Sequence, residues 1–138
     1  MTELQYIQFK TNGKNDIIDI TDKLKSIVVD SNISSGNMLV FVPGATGALS
    51  TIEYEPGLIK DLPELLEKLI PEQGQYHHNE TWHDGNGHSH LRATLIGPSL
   101  SVPFESKQLI LGTWQQIVFL EFDNKPHDRK IAVQLMGE

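Results

Sequence analysis

Five of the six histidines fall within residues 77–90: His77, His78, His83, His88 and His90. A tract this rich in imidazole is of the kind that binds metal ions. Side chains at i, i+2 and i+4 of a β-strand share one face. The alternation from His88 to Ile96 predicts such a strand, projecting His88, His90 and Arg92 together. Two imidazoles at that spacing can ligate one ion. His78 can fold over from the preceding loop as a third ligand, with His83 and His77 behind it. Three protein nitrogens with an open fourth position make the arrangement of catalytic zinc. The expected ligand set is therefore His78, His88 and His90, and zinc is the expected ion, although copper, nickel and iron(II) also suit imidazole. Asp84, the nearest carboxylate in sequence, would orient the rings.

Other residues could act on a ligand. In Pro43-Gly44-Ala45-Thr46-Gly47 small side chains let backbone N–H groups converge on an anion. No Gly-Lys-Ser/Thr follows, so this is not a nucleotide P-loop. Arg92, next along the histidine face, could pair with a phosphate or carboxylate through its fork of donors. Trp114 opens an apolar run and is expected to be buried, and His77 and His127 are read as surface residues. Several chemistries drop out. The chain has no cysteine, which removes thiolate metal sites and cysteine nucleophiles. No Gly-x-Ser-x-Gly elbow is present. Asp84-Gly85-Asn86-Gly87 lacks the spaced aspartates and closing glutamate of a calcium loop. A cupin site would need a carboxylate among Ala93, Thr94 and Leu95.

The elements that must position these groups follow from periodicity and turn residues. Strands are predicted near residues 4–10, 16–20, 38–42, 48–54, 88–96, 99–103, 108–111, 114–122 and 129–136, with 114–122 the longest. Asn12-Gly13 marks a hairpin. One helix is predicted to start at an N-cap Thr21 and stop at Gly36. A second runs from a capping box at Asp61 and Glu64 to Pro71, with Leu62, Leu65, Leu66 and Leu69 as its apolar stripe. Pro56-Gly57 reads as a turn, and residues 72–87 as a long loop. Nine strands and two helices predict an α+β fold with a mostly antiparallel sheet. Its 138 residues form one domain. The net charge of −7 argues against duplex nucleic acid or an anionic membrane as partner. With no targeting or spanning segment in view, the expected location is the cytoplasm.

Residues His78–Ala93, then Leu95-Ile96-Gly97-Pro98-Ser99-Leu100, then Leu111-Gly112-Thr113-Trp114-Gln115-Gln116 and finally Gln134–Glu138 together resemble the YjbQ family (UPF0047). Members of that family carry the label secondary thiamine-phosphate synthase. The resemblance implies a β-sandwich packed with two helices. It also implies a homotrimer, with the histidine face near a subunit boundary. As an activity it implies a cytoplasmic transferase that joins a pyrimidine diphosphate to a thiazole phosphate and expels pyrophosphate. Magnesium is then an alternative ion. His78 and His90 match the family's most persistent histidines, and His88 matches only part of the family. Asn86, Arg92, Thr113, Trp114 and Gln115 match its other motif positions. Many members have His-Thr-Thr where this chain has Gly44-Ala45-Thr46, so either His88 or His83 fills that position here or the metal is bound less tightly. On this reading Arg92, Asn86 and Asp84 are the candidate catalytic residues. Gly44, Thr46, Arg92, Thr113 and Gln115 are the candidate ligand-binding residues. A metal-dependent hydrolase of a small phosphate or ester, and a non-catalytic metal or small-ligand binding protein, are the alternatives.

Overall fold

A computed structural model describes the whole chain, residues 1–138. Its strands are β1 (Thr2–Lys10), β2 (Asp16–Asp19), β3 (Gly36–Phe41), β4 (Gly47–Glu53), β5 (Ser99–Glu105), β6 (Gln108–Leu109), β7 (Gln115–Glu121) and β8 (Asp128–Gly137). Its helices are α1 (Thr21–Asp30), α2 (Pro56–Leu69), α3 (His77–Trp82) and α4 (Gly87–Ile96). One sheet has the order β1-β8-β3-β5-β6 and the other β2-β7-β4. Every pairing is antiparallel. The α+β class therefore holds, and eight of the nine predicted strands form.

The two sheets pack face to face. Met38, Val40, Val102, Ile131, Val133 and Leu135 from the larger sheet meet Leu49, Ile117 and Phe119 from the smaller, and α1 adds Leu24 and Val28. The smaller sheet is covered on its other face as well. Val118, Leu120 and Phe122 pack against Leu66 of α2 and Ala93 of α4. A strand buried on both faces needs a continuous apolar run, which is why β7 reads Ile117-Val118-Phe119-Leu120 without alternation. The result is three layers: sheet, sheet, helices.

Six expectations change. Residues 88–96 are helical, and the face they bury is largely polar. His88, Ser89, Arg92 and Ala93 are buried, a 1-2-5-6 spacing that fits a 3.6-residue turn. Sequence periodicity follows apolar residues and misses such a face. Second, α2 begins at Pro56, since the Glu55 carboxylate accepts from the Gly57 and Leu58 amides; Pro63 lies inside the helix. Of its leucine stripe only Leu66 is buried, while Leu65 and Leu69 are exposed. Third, Thr21 does not cap α1, which ends at Asp30. Its hydroxyl donates to the Asp19 carboxylate at 2.6 Å and accepts from the Ile117 amide at 2.8 Å. Fourth, Trp114 lies outside β7 and is 71% exposed, and β8 is the longest strand. Fifth, Asn12-Gly13 closes no hairpin, because β1 pairs with β8 and β2 with β7 in the other sheet. Sixth, residues 72–87 are not all loop, since α3 lies within them.

One charged pair crosses the sandwich. Arg129 follows the inward parity of Ile131, Val133 and Leu135 on β8, and Glu121 follows that of Ile117 and Phe119 on β7. Both charges are thereby directed between the sheets. Glu121 is fully buried. It accepts from Arg129 Nε at 2.9 Å and Nη2 at 2.5 Å, from Thr11 Oγ1 at 2.7 Å and from the Asp123 amide at 3.2 Å. Removing one member of a buried, hydrogen-bonded pair leaves the other charge uncompensated. Glu121→Ala is expected to cost about 3–5 kcal/mol in urea unfolding. A loss under about 1 kcal/mol, the worth of an exposed pair, would show that solvent reaches this end of the sandwich.

Candidate functional site

The histidine tract folds as α3, a tight turn and α4. His83 ends α3 in the left-handed conformation, with φ of 57°. The turn is tied to the segment after β7, because Asn124 Nδ2 donates to the Gly85 carbonyl at 3.0 Å. Asn79 Oδ1 accepts from the Gly87 amide at 2.9 Å and joins α3 to the start of α4. These bonds bring His78 against His90, with ring centroids 4.4 Å apart and planes at 52°. His78 Nε2 lies 3.0 Å from Asn86 Oδ1 and 3.4 Å from Asp84 Oδ1. His78 is thus the meeting point, with His90, Asn86 and Asp84 each against its ring.

His88 does not join them. Two helical residues subtend about 200°, so His88 and His90 leave opposite sides of α4. His88 is 2% exposed and its Nδ1 has no hydrogen-bond partner. Arg92, one turn along on the same buried side, is also committed to the fold. Its Nε and Nη2 donate to the Ile70 carbonyl at 3.0 and 2.7 Å, Nη1 donates to Asn15 Oδ1 at 3.0 Å, and Nη2 meets the Glu67 carboxylate at 3.3 Å. It clamps the end of α2 and does not lie on a shared face with His90. His77 and Glu80 form an exposed pair, and His83 is exposed. No group of three or more His, Cys, Asp or Glu side chains is arranged to hold a metal ion. The expected His78/His88/His90 centre thus does not form within one chain, for the helical reason just given.

The glycine-rich loop does reach His90. Gly44, Ala45 and Gly47 line a cavity of about 280 Å³ together with His90, Ala93 and Thr94. The loop is set by the buried pair described above. Thr46 Oγ1 accepts from Arg129 Nη2 at 3.0 Å, and the Thr46 carbonyl accepts from the Phe122 amide at 3.0 Å. A side chain at position 44 would meet Arg129 Nη1 at 3.3 Å, so glycine lets the guanidinium lie against the loop. A side chain at 47 would strike the Phe119 ring, and glycine is required there too. Arg129 is the residue that sequence reading misses. Its basic type in an alternating strand looks like an outward charge, and only strand parity with Ile131 marks it as inward.

His127 is also more than a surface residue. Its Nε2 donates to Asp123 Oδ2 at 2.6 Å, and Asp123 Oδ1 accepts from Asn86 Nδ2 at 3.2 Å and the Asn124 amide at 2.8 Å. Burial alone would raise the Asp123 carboxyl. The hydrogen bonds from His127, the Asn124 amide and Asn86 outweigh it and hold the group below the usual aspartate value.

Thr113 and Gln115 lie elsewhere. Gln115 opposes Glu53 while Gly47 opposes Glu121 in the same β4–β7 ladder. Six residues of strand separate the two ends, roughly 20 Å. Gln115 Nε2 donates to Thr51 Oγ1 at 3.2 Å and its Oε1 accepts from the Gly112 amide at 3.0 Å. One chain does not bring these residues to His90.

Fold and cleft together define a class: an antiparallel sandwich with one helical layer, bearing a paired-histidine cleft against a glycine loop. The chain matches the family described as "UPF0047 protein YjbQ-like" over residues 5–138 and belongs to it. A UPF0047 protein of Archaeoglobus fulgidus is 43% identical over 130 residues, which is 94% of this chain and 98% of that protein. One from Methanothermobacter thermautotrophicus is 37% identical over 134 residues, 97% and 92% of the two chains. The crystal structure of a YbjQ-like protein of unknown function from Sulfolobus solfataricus P2 superposes with a TM-score of 0.90 at 31% identity, over 100% of both chains. An uncharacterized conserved protein of the YjbQ/UPF0047 family from Clostridium acetobutylicum gives 0.87 at 37% identity, over 96% of this chain and 99% of that one.

Burial first, then the Arg92 charge, push His88 below the ordinary histidine value of 6.5. An unfolded chain then binds the proton that the folded chain refuses. Stability from this group is complete above about pH 6.5 and is lost as the pH falls from there toward the lowered folded value. The thermal midpoint is expected to fall between about pH 7 and pH 5, and His88→Gln to flatten that part of the profile. An unchanged slope in the variant would show that another group governs it.

Proposed function

We propose that the cleft binds a small phosphate- or diphosphate-bearing molecule and that the protein is an enzyme acting on it. The observation that carries this reading is the shared cavity: His90 lines it with Gly44, Ala45 and Gly47, and Arg129 Nη1 lies on the other side of Gly44. Arginine forks, imidazolium groups and converging amides are what a diphosphate's oxygens need. The finer reading, from family likeness, is transfer of the thiamine-phosphate synthase type. A thiazole nitrogen attacks the pyrimidine methylene carbon, the carbon–oxygen bond breaks and pyrophosphate leaves. Charge then develops on the departing diphosphate. Cationic donors fixed beside it stabilise that charge without reorganising. His78 or His90, protonated, can give the leaving oxygen a proton. Arg92 has no part in this chemistry, since its donors are spent on Asn15, on Glu67 and on the Ile70 carbonyl.

Two measurements test it. Calorimetry with inorganic pyrophosphate is expected to show binding that His90→Ala weakens at least about tenfold, the loss of one charge-assisted contact. Pyrophosphate release from the two thiamine precursors is expected to fall by about 10²–10⁴ in the same variant. Binding without turnover would leave a binding protein, and turnover of a simple phosphate ester alone would make it a hydrolase.

The proposed assembly is a homotrimer in which the Thr113–Gln115 end of one copy approaches the histidine end of the next. Exposed apolar side chains support it. Leu65, Leu69, Leu91 and Leu95 stand open on the helical layer, and Ile110 and Trp114 at the far end of the sandwich. Such surface on a single chain marks a contact site. Light scattering is expected to give three times the 15.5 kDa chain mass. A single-chain mass at micromolar concentration would overturn the assembly and leave Thr113 and Gln115 outside the site.

A further inference from the structure

We infer that Asp123, Asn86 and His127 are positioning residues that lock His78 in its Nε2–H tautomer, so that Nδ1 is the one lone pair its neutral ring offers to a ligand. The inference deepens the reading of the cleft given above and rests on hydrogen-bond geometry, supported by the ionised state of Asp123. Four side chains lie in series. His127 Nε2 is 2.6 Å from Asp123 Oδ2, Asn86 Nδ2 is 3.2 Å from Asp123 Oδ1, and Asn86 Oδ1 is 3.0 Å from His78 Nε2.

An ionised carboxylate only accepts. Asp123 is ionised, because its hydrogen bonds hold it below the usual aspartate value. It therefore demands donors on both sides. His127 supplies one through Nε2–H, and the Asn124 amide supplies another at 2.8 Å. Asn86 must supply its amino group. A carboxamide turned by the carboxylate in this way has only its carbonyl left to face His78. The carbonyl only accepts, so the imidazole must donate, and Nε2 carries the proton. Asp84 Oδ1, 3.4 Å from the same nitrogen, favours the same state. A neutral ring has one proton, so its lone pair is on Nδ1.

The chain also explains residues that the reaction scheme leaves idle. Asp123 and His127 touch neither His90 nor the cavity lining. Asp123 is 6% exposed, and a buried carboxylate is retained against its desolvation only where partners compensate it. Its partners here are the groups that decide which nitrogen of His78 is basic. Asn86, a motif position by family likeness, thereby acquires a definite task.

The test needs no substrate, so it stands or falls apart from the phosphate reading. Long-range proton–nitrogen spectra of the uniformly ¹⁵N-labelled full chain, above the histidine titration, report each ring's tautomer. His78→Gln assigns the His78 signals by their loss. In the wild type, His78 is expected to show a pyrrole-type Nε2 and a pyridine-type Nδ1, with that form in excess by about tenfold or more. The Nδ1–H form, or an even mixture, would overturn the inference without any further variant. In Asp123→Asn, Asn86 can turn its amino group toward His78, and the Nδ1–H form is expected to rise several-fold while the remaining imidazole signals stay in place. A His78 signal unchanged in that variant would also overturn it, assigning the tautomer to Asp84 instead. Failure of pyrophosphate to bind, with the tautomer as described, would remove the function and keep this mechanism.

Discussion

The buried Arg129–Glu121 pair is the constraint on which the rest of this molecule depends. It joins the inner face of one sheet to the inner face of the other at the end of the sandwich where apolar packing stops. A charge pair removed from water is weak as a source of stability, because desolvation offsets attraction. It is strong as a geometric restraint. Both ends of Glu121 are occupied, so neither sheet can slide without stranding a charge. The same guanidinium holds Thr46 and backs Gly44, and Glu121 holds the Asp123 amide. The glycine loop and the turn after β7 are thus fixed from one point, and the cleft lies between them and α4.

The helical layer is docked by different means. Apolar contacts through Leu66 and Ala93 supply adhesion but no orientation. Orientation comes from polar groups on the buried side of α4. Arg92 holds the carbonyl at the end of α2, and the Ser89 hydroxyl donates to the Phe122 carbonyl. Directional bonds of this kind set the rotation of a helix about its own axis. Once Arg92, Ser89 and His88 face inward, the 100° step per residue sends His90 to the cleft. The residues that look most like site chemistry in the sequence are therefore divided in two. Half build the site from behind, and half form it.

Much of the fold is legible in the sequence because most strands obey simple periodicity. β8 alternates and β7 carries the continuous apolar run Ile117–Leu120, whereas Asn12-Gly13 turns the chain between strands that pair in different sheets, so the hairpin it suggests does not form. The strand predicted at 88–96 shows where that reading stops. A period is detected only through contrast, and a buried face made of His88, Ser89 and Arg92 supplies none. The start of α2 was hidden for a related reason. Pro56-Gly57 reads as a turn unless Glu55 is recognised as the acceptor for the free amides beyond it. Of the site, residue types were legible and partners were not. His78 and His90 lie 12 residues apart in sequence, yet their meeting depends on Asn79 and Asn124 tying the intervening turn. Arg129 and Asp123 lie 39 and 33 residues beyond His90, reached only through sheet topology.

The cleft is held by a chain with a net charge of −7. An acidic protein that is to bind an anion must gather its cations locally, and the pairing pattern decides which remain free to act. Arg92 is saturated by neutral and anionic acceptors inside the helical layer. Arg129 is balanced by Glu121, but only through Nε and Nη2, which leaves Nη1 beside Gly44 without a protein partner. A guanidinium so held contributes directed donors at little net charge. On the reading proposed above, the contact to an anion from the helical layer falls to His90, which lines the cavity. Both the glycine loop and the α3–α4 turn are anchored to the same short segment after β7, the loop through the Phe122 amide and the turn through Asn124.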